Sequence, residues 1–477
     1  MAGVFCMLVI IAAIPAFMLR MTGVMDDSVF WVVGKSLQSG KLLYRDIFFT
    51  QPPLFTFIPH AVWMAGGDTF AQRTFLLAVW LVNGALLYLI IRRMERAQRI
   101  VALGLFLVSS FVLQSYALHT ETFVLLAFLI AVLAISRHAP ATHLIVGLAA
   151  ATTLFIKPIG PLVFAPCIVY LLTRQGTSHV RRSVLLMATG ACIPVAVMAA
   201  YFAYSGNVVQ FWQQVVVDNT NVGLSINVDL PGYVTLAFAP LLVPLFGALV
   251  VVDGRQTQVE WWVAVATFSV LLAMELLRGA RHYGLLNLCV LVWMLFRAQE
   301  RLGLVRIPAR RIAVGTLVAL ATLAQILTVH EILARGSIVD ELSATRFVRS
   351  LPRGSLHVFA NTPPRWYMLM NELTPAYAYL FVYDTNRDLV TWDSYRGMLS
   401  ESPPDYIAVE DNFQGIEYGH VKSVELTSAS AVRAWIERRG EYRQLDIGPA
   451  LGLALYQRIS ARTDDPTQAR RDLACTF

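Results

Sequence analysis

Two adjacent carboxylates, Asp26 and Asp27, stand directly behind the first apolar run of the sequence. From Asp27 onward apolar residues recur near helical spacing, so DDSVFWVVGKSLQSG predicts an amphipathic helix that lies along a membrane surface and ends at Gly40. A helix N-terminus stabilises ionised carboxylates, which suits a general base. Either aspartate could instead only cap the helix, and both interpretations stay open here.

Basic side chains form a second group. The stretch LLRGARHYGLLNL places Arg278, Arg281 and His282 between two apolar runs, and Lys157 lies in the turn FIKPIG. Arginine offers phosphate a planar fork of donors, although arginines at helix ends also snorkel to lipid headgroups. A carboxylate base opposite such a cationic group fits transfer of a group away from a phosphate leaving group.

Further polar residues are candidate substrate contacts. The loop GKLLYRDIFFTQPPLFTFIPH follows the predicted surface helix and is expected to be stiffened by Pro52, Pro53 and Pro59. Its Arg45 and Asp46 could equally be a structural ion pair. The candidates are Tyr44, Arg45, Asp46, Gln51, His119, Glu121 and Tyr283.

The elements that must position these residues are membrane helices. Of the 477 residues, 57% are hydrophobic and 14% charged, against roughly 25% charged in soluble domains. Apolar runs predict about eleven spans, near residues 3–19, 70–91, 100–117, 121–136, 143–156, 159–173, 184–204, 232–252, 259–277, 283–297 and 312–330. The first is predicted to be a retained span rather than a signal peptide.

Charge placement predicts the orientation. The net charge of +7 comes mostly from arginines in short loops that all fall on one side, which is therefore cytoplasmic; this argues against nucleic-acid binding. Two short spans meeting at Lys157-Pro158, rather than one interrupted helix, keep that pattern consistent. The expected location is a plasma (inner) membrane, with the candidate site and the C-terminal domain on the extracytoplasmic, periplasmic side.

The last third of the chain has a different character. After a membrane domain at 1–334, residues 335–460 alternate strand-like pieces (SLHVFA, DYIAVE, LGLALYQR) with helix-like pieces (PPRWYMLMNEL, SAVRAWIERRG), which predicts a small α/β domain. Residues 461–477 read as a disordered tail.

These features together resemble the GT-C glycosyltransferases, in particular the bacterial branch related to lipid A aminoarabinose transferases and protein O-mannosyltransferases. The resemblance rests on the acidic pair, the surface helix, G-x-x-x-Y-x-D at 40–46, Q-P-P-L at 51–54, LFIKPIG and RGARHYGLL. In architecture it covers nearly the whole chain. It implies a polytopic α-helical membrane protein with an interfacial helix in its first outer loop.

The resemblance also implies a function: inverting transfer of a sugar from a polyprenyl-phosphate donor to an extracytoplasmic lipid, glycan or protein acceptor. By position Asp26 is the base and Asp27 its partner, while the RGARHY turn and Lys157 meet the donor phosphate. Gln51 replaces the lysine of the family's K-P-P-L, so phosphate binding falls more heavily on Lys157, Arg278 or Arg281. No cofactor is required, although an acidic pair beside a phosphate leaves room for a divalent metal.

Two other classes of protein compete with this hypothesis. A transporter or flippase of a lipid-linked or anionic solute would carry its charges at mid-membrane on broken helices, whereas these charges lie at span edges. A structural subunit of an envelope assembly would use residues 335–460 for docking. The edge position of the charges favours an enzyme.

Overall fold

The computed structural model describes residues 12–16, 18–19, 25–66, 69–173, 177–217, 255–278, 281–298, 354–359, 374–375, 397, 399–411, 417–418, 421–422, 429–445 and 453–459. The spans predicted near 232–252 and 312–330, most of the first span, the helix-like piece PPRWYMLMNEL and the tail at 461–477 lie outside these residues.

Helices dominate the described part of the first 300 residues. They are α1 Met25–Gln38, α2 Phe57–Met64, α3 Thr69–Ile90, α4 Arg96–Val112, α5 Thr120–Ser136, α6 Thr142–Leu154, α7 Ala165–Thr173, α8 Thr177–Ser205, α9 Val208–Phe211, α10 Arg255–Arg278 and α11 Gly284–Ala298. Two stretches, Phe70–Ile90 and His179–Ser205, are long and apolar enough to cross a membrane by length and composition, and several shorter helices are apolar.

The helix predicted behind the first apolar run is present. It begins at Met25, so Asp26 and Asp27 lie in its first turn. Gly40 follows with φ +86°, a left-handed conformation that glycine adopts without steric cost. The predicted end of the helix is therefore confirmed.

Burial on α1 extends further around the helix than predicted, although Lys35 on the predicted polar side is half-buried and Gln38 is exposed. Trp31 and Val33 are fully buried, although they point from different sides of the helix. Helix α2 packs so closely on α1 that a Cβ on Gly34 would lie 2.7 Å from the His60 amide nitrogen. Trp63 Nε1 also donates to the Trp31 carbonyl at 2.7 Å. Packing against α2 therefore buries more of α1 than the predicted apolar side, and the exposed polar side is narrower than expected.

The segment that contains Pro59 also differs from the prediction. Instead of a stiffened loop it forms a 3-10 turn, Pro53–Thr56, followed directly by α2. Pro59 occupies the first turn of α2, where a missing N–H costs no helical hydrogen bond.

The break at Lys157-Pro158 is confirmed. Helix α6 ends at Leu154, and a 3-10 turn at Gly160–Phe164 leads into α7. We call residues 155–159 between them the Lys157 turn. The Lys157 amide donates to the Thr153 carbonyl at 2.7 Å, which fixes the turn to the end of α6.

Helices α6 and α8 pack backbone against backbone. A Cβ on Gly147 would collide with the carbonyl of Met187, and one on Gly190 would collide with the carbonyl of Leu144. Small residues at such contacts are typical of helix packing in membranes. The helix that carries the Lys157 turn is therefore held against the longest helix described.

The C-terminal part contains a five-stranded sheet in the order β2-β1-β3-β7-β6. Its strands are β1 Ser355–Phe359, β2 Thr374–Pro375, β3 Tyr406–Glu410, β6 Tyr442–Leu445 and β7 Leu453–Arg458, and β4 Glu417–Tyr418 pairs separately with β5 Val421–Lys422. Strands β2, β1 and β3 are parallel; β7 and β6 continue antiparallel. Helix α12, Ala429–Arg439, covers one face with Val432 and Ile436.

The three strands and one of the two helices predicted here are present at SLHVFA, DYIAVE, LGLALYQR and SAVRAWIERRG. The domain bounds at 334 and 460 stay predictions.

Candidate functional site

Five of the candidate residues meet at one end of the helix bundle. His119 is the N-cap of α5, and its extended backbone (φ −106°, ψ 143°) precedes Glu121 in the first helical turn. His282 and Tyr283 lie in a 3-10 turn, Arg281–Tyr283, between α10 and α11, and Lys157 completes the group from its own turn. We call these five residues the Lys157 cluster.

A buried ion pair forms the centre of the cluster. Lys157 Nζ donates to Glu121 Oε1, and the two side chains are 10% and 1% exposed. Thr120 Oγ1 donates to the other carboxylate oxygen at 2.8 Å. Lys157 Nζ also lies 3.8 Å from the centroid of the Tyr283 ring. Burying two charges costs desolvation energy, which an ion pair without further contacts does not offset. The Thr120 hydrogen bond and the Tyr283 ring help to offset it here.

Two histidines lie against the carboxylate. The rings of His119 and His282 stack with centroids 4.2 Å apart and planes 13° from parallel. His282 Nε2 is 3.8 Å from Glu121 Oε1. One ligand atom from each of the three residues lies within 4.8 Å of the others, so among the described residues this group could hold a metal ion.

The second group of candidates, in residues 42–51 (the Tyr44 loop), is built differently. Tyr44 is buried with φ +67°, and its hydroxyl donates to the Gln51 carbonyl at 2.8 Å. Arg45 donates to both oxygens of Asp46 at 2.8 Å, and the Leu42 amide donates to Asp46 Oδ2 at 2.8 Å. The Arg45 hydrogen bond holds the pKa of Asp46 below its usual range. These contacts favour the structural ion pair, which holds the loop.

Two residues that the sequence did not single out fix the Tyr44 loop from a distance. Gln214 Oε1 accepts from the Phe49 amide at 2.9 Å, and Gln214 Nε2 donates to the Tyr44 carbonyl at 2.8 Å. Asn207 Nδ2 donates to the Leu43 carbonyl. Gln214 lies in a π-helical turn, Trp212–Val217, a geometry that is frequent at functional sites. No motif marks either residue, because each acts across more than 160 positions of sequence.

Replacing Gln214 with Leu is expected to release the Tyr44 loop, because it leaves the Phe49 amide and the Tyr44 carbonyl without this partner. Each lost partner of a buried polar group costs about 1–3 kcal/mol. Hydrogen exchange of peptides covering residues 42–51 should therefore accelerate. Gln213→Leu, at the exposed neighbouring position, is the matched control and should leave exchange unchanged. Equal protection in both variants would contradict the assignment.

The two groups are connected through aromatic packing. The Phe55 ring contacts Phe30 of α1 at 4.6 Å and Phe123 of α5 at 5.6 Å between centroids. The Leu54 amide donates to the Phe155 carbonyl at 3.1 Å, which ties the Q-P-P-L stretch to the Lys157 turn. Helix α1, the Tyr44 loop and the Lys157 cluster therefore belong to one packed region.

For the remaining candidates the structure describes the position of the backbone. Asp26 and Asp27 occupy the first turn of α1, Arg278 ends α10, and Arg281 begins the turn that carries His282. Arg73, which no motif marks, is buried near the start of α3, and its Nη1 lies 3.5 Å from the Tyr116 carbonyl. A lone arginine early in an apolar run was the available sign.

The fold as a whole resembles that of ArnT. Crystal structures of ArnT from Cupriavidus metallidurans, a GT-C glycosyltransferase, match almost the full length of the chain at a TM-score of 0.56 and 11% identity. The apo structure covers 97% of this chain and 99% of that chain, and the structure bound to undecaprenyl phosphate covers 95% and 98%. No protein-family model and no curated protein sequence matches.

The comparison confirms the predicted resemblance at the level of the fold. Together with the apolar helices among the described residues, it supports a helical membrane-protein fold that resembles the aminoarabinose transferase.

Proposed function

We propose that this protein is an inverting glycosyltransferase of the inner membrane that moves a sugar from a polyprenyl-phosphate donor to an acceptor on the periplasmic side. The acceptor is a lipid, a glycan or a protein. The observation that carries the proposal is the full-length fold likeness to ArnT, which was crystallised with undecaprenyl phosphate. The buried Lys157 ammonium at the helix ends supports it independently.

The donor phosphate contacts Lys157, Arg278, Arg281 and His282 in this proposal. Lys157 is held in place by Glu121 and Tyr283, so its ammonium is pre-positioned rather than free to rotate. Arg281 precedes His282 directly in the same turn, which brings a second cation to this end of the bundle. Fixed cations stabilise the charge that develops on the departing polyprenyl phosphate.

The acceptor is activated by a carboxylate from α1. Asp26, in the first helical turn, takes the proton of the acceptor hydroxyl as its oxygen attacks the anomeric carbon. The helix N-terminus favours the ionised form that this role needs, and Asp27 supports it. Attack opposite the departing phosphate inverts the anomeric centre. Fixed cations make a metal unnecessary for this step.

Gln51 and His119 are proposed to contact the sugar or the acceptor, and Tyr44, whose hydroxyl donates to the Gln51 carbonyl, holds Gln51 in position for that contact. Gln51 is neutral where the related enzymes carry a lysine, so it is suited to hydrogen bonding with hydroxyl groups rather than to phosphate. The donor sugar is therefore expected to differ from aminoarabinose.

Binding of undecaprenyl phosphate tests the proposal directly. The full chain in nanodiscs should bind this lipid, measured by native mass spectrometry, and Arg281→Ala should weaken binding by about tenfold or more, since a charge-assisted contact is worth roughly 1.5–3 kcal/mol. Arg443→Ala, an exposed arginine on the C-terminal sheet, is the control and should bind as the wild type does.

Transfer of a radiolabelled sugar from polyprenyl-phosphate donors, in proteoliposomes with cell-envelope acceptors, then distinguishes an enzyme from a carrier. Movement of the intact donor across the bilayer without transfer would support the transporter or flippase instead. Binding that is equal in the wild type and Arg281→Ala would overturn the phosphate assignment.

A further inference from the structure

The Lys157 cluster contains three side chains that could act together as metal ligands, in addition to the ion pair. His119, Glu121 and His282 come from two separate elements, the start of α5 and the turn before α11, yet their ligand atoms lie within 4.8 Å of one another. Imidazole nitrogen and carboxylate oxygen are the ligands of many zinc sites, and two histidines with one glutamate leave a fourth position open.

We propose that His119, Glu121 and His282 bind one divalent transition-metal ion, which takes the place of the Lys157 ammonium on Glu121. The site stands on these residues alone and does not rest on the glycosyltransferase proposal. In a tetrahedral zinc site with metal–ligand distances of about 2.0–2.2 Å, ligand atoms lie about 3.3 Å apart. Rotation of the side chains must therefore draw the most distant pair together by about 1.5 Å.

Several contacts prepare these side chains for a metal. Parallel imidazoles at a centroid distance of 4.2 Å cannot both carry a charge without repulsion, and the neutral imidazole is the form that binds metals. The Thr120 hydroxyl donates to Glu121 Oε2, leaving Oε1 on the side of Lys157 and His282. Such outer contacts orient ligands in metal sites.

Replacement of the Lys157 ammonium by a metal ion on Glu121 would change what Lys157 can bind. In the ion-paired state Glu121 neutralises its ammonium, which reduces its attraction for a second anion. A metal on Glu121 would release Lys157, whose Nζ keeps its contact with the Tyr283 ring. That consequence, unlike the metal site, rests on the proposed function, because the released ammonium then meets the donor phosphate.

Cobalt(II) titration of the full chain, purified without a histidine tag and stripped with chelator, tests the site. The wild type should bind one Co²⁺ per chain, with visible d–d absorption and without the near-ultraviolet thiolate band that cysteine ligation would give. His119→Phe and His282→Phe keep the ring stack but remove a ligand. Each should weaken binding by about a hundredfold or more, since changes to outer contacts alone cost roughly 10–100-fold.

Lys157→Met should bind Co²⁺ about tenfold more tightly, because the competing cation is gone, a change of about 1.4 kcal/mol. His143→Phe, a histidine near the start of α6 outside the cluster, is the control and should bind normally. No Co²⁺ bound by the wild type, a measurement that needs no variant, would overturn the site. Unchanged affinity in both His119→Phe and His282→Phe would do the same.

Undecaprenyl phosphate binding measured with and without Zn²⁺ separates the two proposals. Metal binding without lipid binding supports the metal site and counts against the glycosyltransferase. Lipid binding by a protein that takes up no metal supports the glycosyltransferase and counts against the metal site. Stronger lipid binding with Zn²⁺ in the wild type, but not in His282→Phe, supports release of Lys157.

Discussion

Lys157→Met in metal-free buffer is expected to lower the free energy of unfolding by about 3–5 kcal/mol, because it leaves the buried Glu121 carboxylate without its cation. Glu121→Leu should cost a similar amount by stranding the ammonium. The double variant should be more stable than either single variant, since it removes both charges. A fluorogenic thiol probe that reads exposure of buried Cys167 and Cys289 measures the effect, in a background with Cys6, Cys192 and Cys475 replaced by Ser.

A second buried ion pair provides the matched control. Arg297 Nε donates to Glu260 Oε1 at 2.7 Å, and the guanidinium lies 4.4 Å from the Tyr170 ring centroid, so the chemistry parallels that of Lys157. This pair lies about 25 Å along α10 and α11 from the His282 turn. Glu260→Gln should destabilise the fold comparably yet leave undecaprenyl phosphate binding per folded protein unchanged. If Lys157→Met and Glu260→Gln lose lipid binding equally, Lys157 has a purely structural role.

Asp26→Asn is expected to reduce sugar transfer by about 10²–10⁴-fold, the usual contribution of a general base, with little change in donor binding. Asp27→Asn should have the smaller effect, since Asp27 only supports the base. Transfer from a polyprenyl-phosphate sugar in proteoliposomes, at saturating donor, is the measurement. Asp411→Asn removes an exposed carboxylate of the C-terminal part and should retain full activity.

The same two variants also test which of the two aspartates is the base. Full transfer by Asp26→Asn with loss in Asp27→Asn would reverse their assignment. A loss of stability without a loss of turnover in both would leave them as first-turn carboxylates that stabilise the N-terminus of α1, worth about 0.3–1 kcal/mol each. The two measurements together therefore decide between catalysis and stabilisation of the helix N-terminus.

Local features were predictable from the sequence. The span at 70–91, the strands DYIAVE and LGLALYQR, and the break at Lys157-Pro158 follow from apolar length, β-branched runs and the missing N–H of proline. The burial around α1 had a sign too, since VFWVV is apolar without interruption. Lys35, Gln38 and Lys41 predict the polar side, and in the structure Lys35 and Lys41 are half-buried and Gln38 is exposed.

Contacts between distant parts of the chain were not predictable. Orientation placed Lys157, Glu121 and the RGARHY turn on one side of the membrane, but not against each other. The pairing of Lys157 with Glu121 spans 36 positions, and His119 stacks on a ring more than 160 positions away. Such pairs depend on how the helices pack, and local sequence patterns do not show that packing. The contacts of Asn207 and Gln214 with the Tyr44 loop were unpredictable for the same reason, because no motif marks either residue.

The backbone contact between α6 and α8 limits how this protein can diversify. Neither Gly147 nor Gly190 has room for a methyl group, so these two positions of the scaffold that carries Lys157 cannot accept a larger residue without a shift of the backbone. The segment after Ser205 is different, since Val208, Val209 and Trp212 are largely exposed. Descendants with altered acceptors are therefore expected to differ in that segment and to inherit the Lys157 turn unchanged.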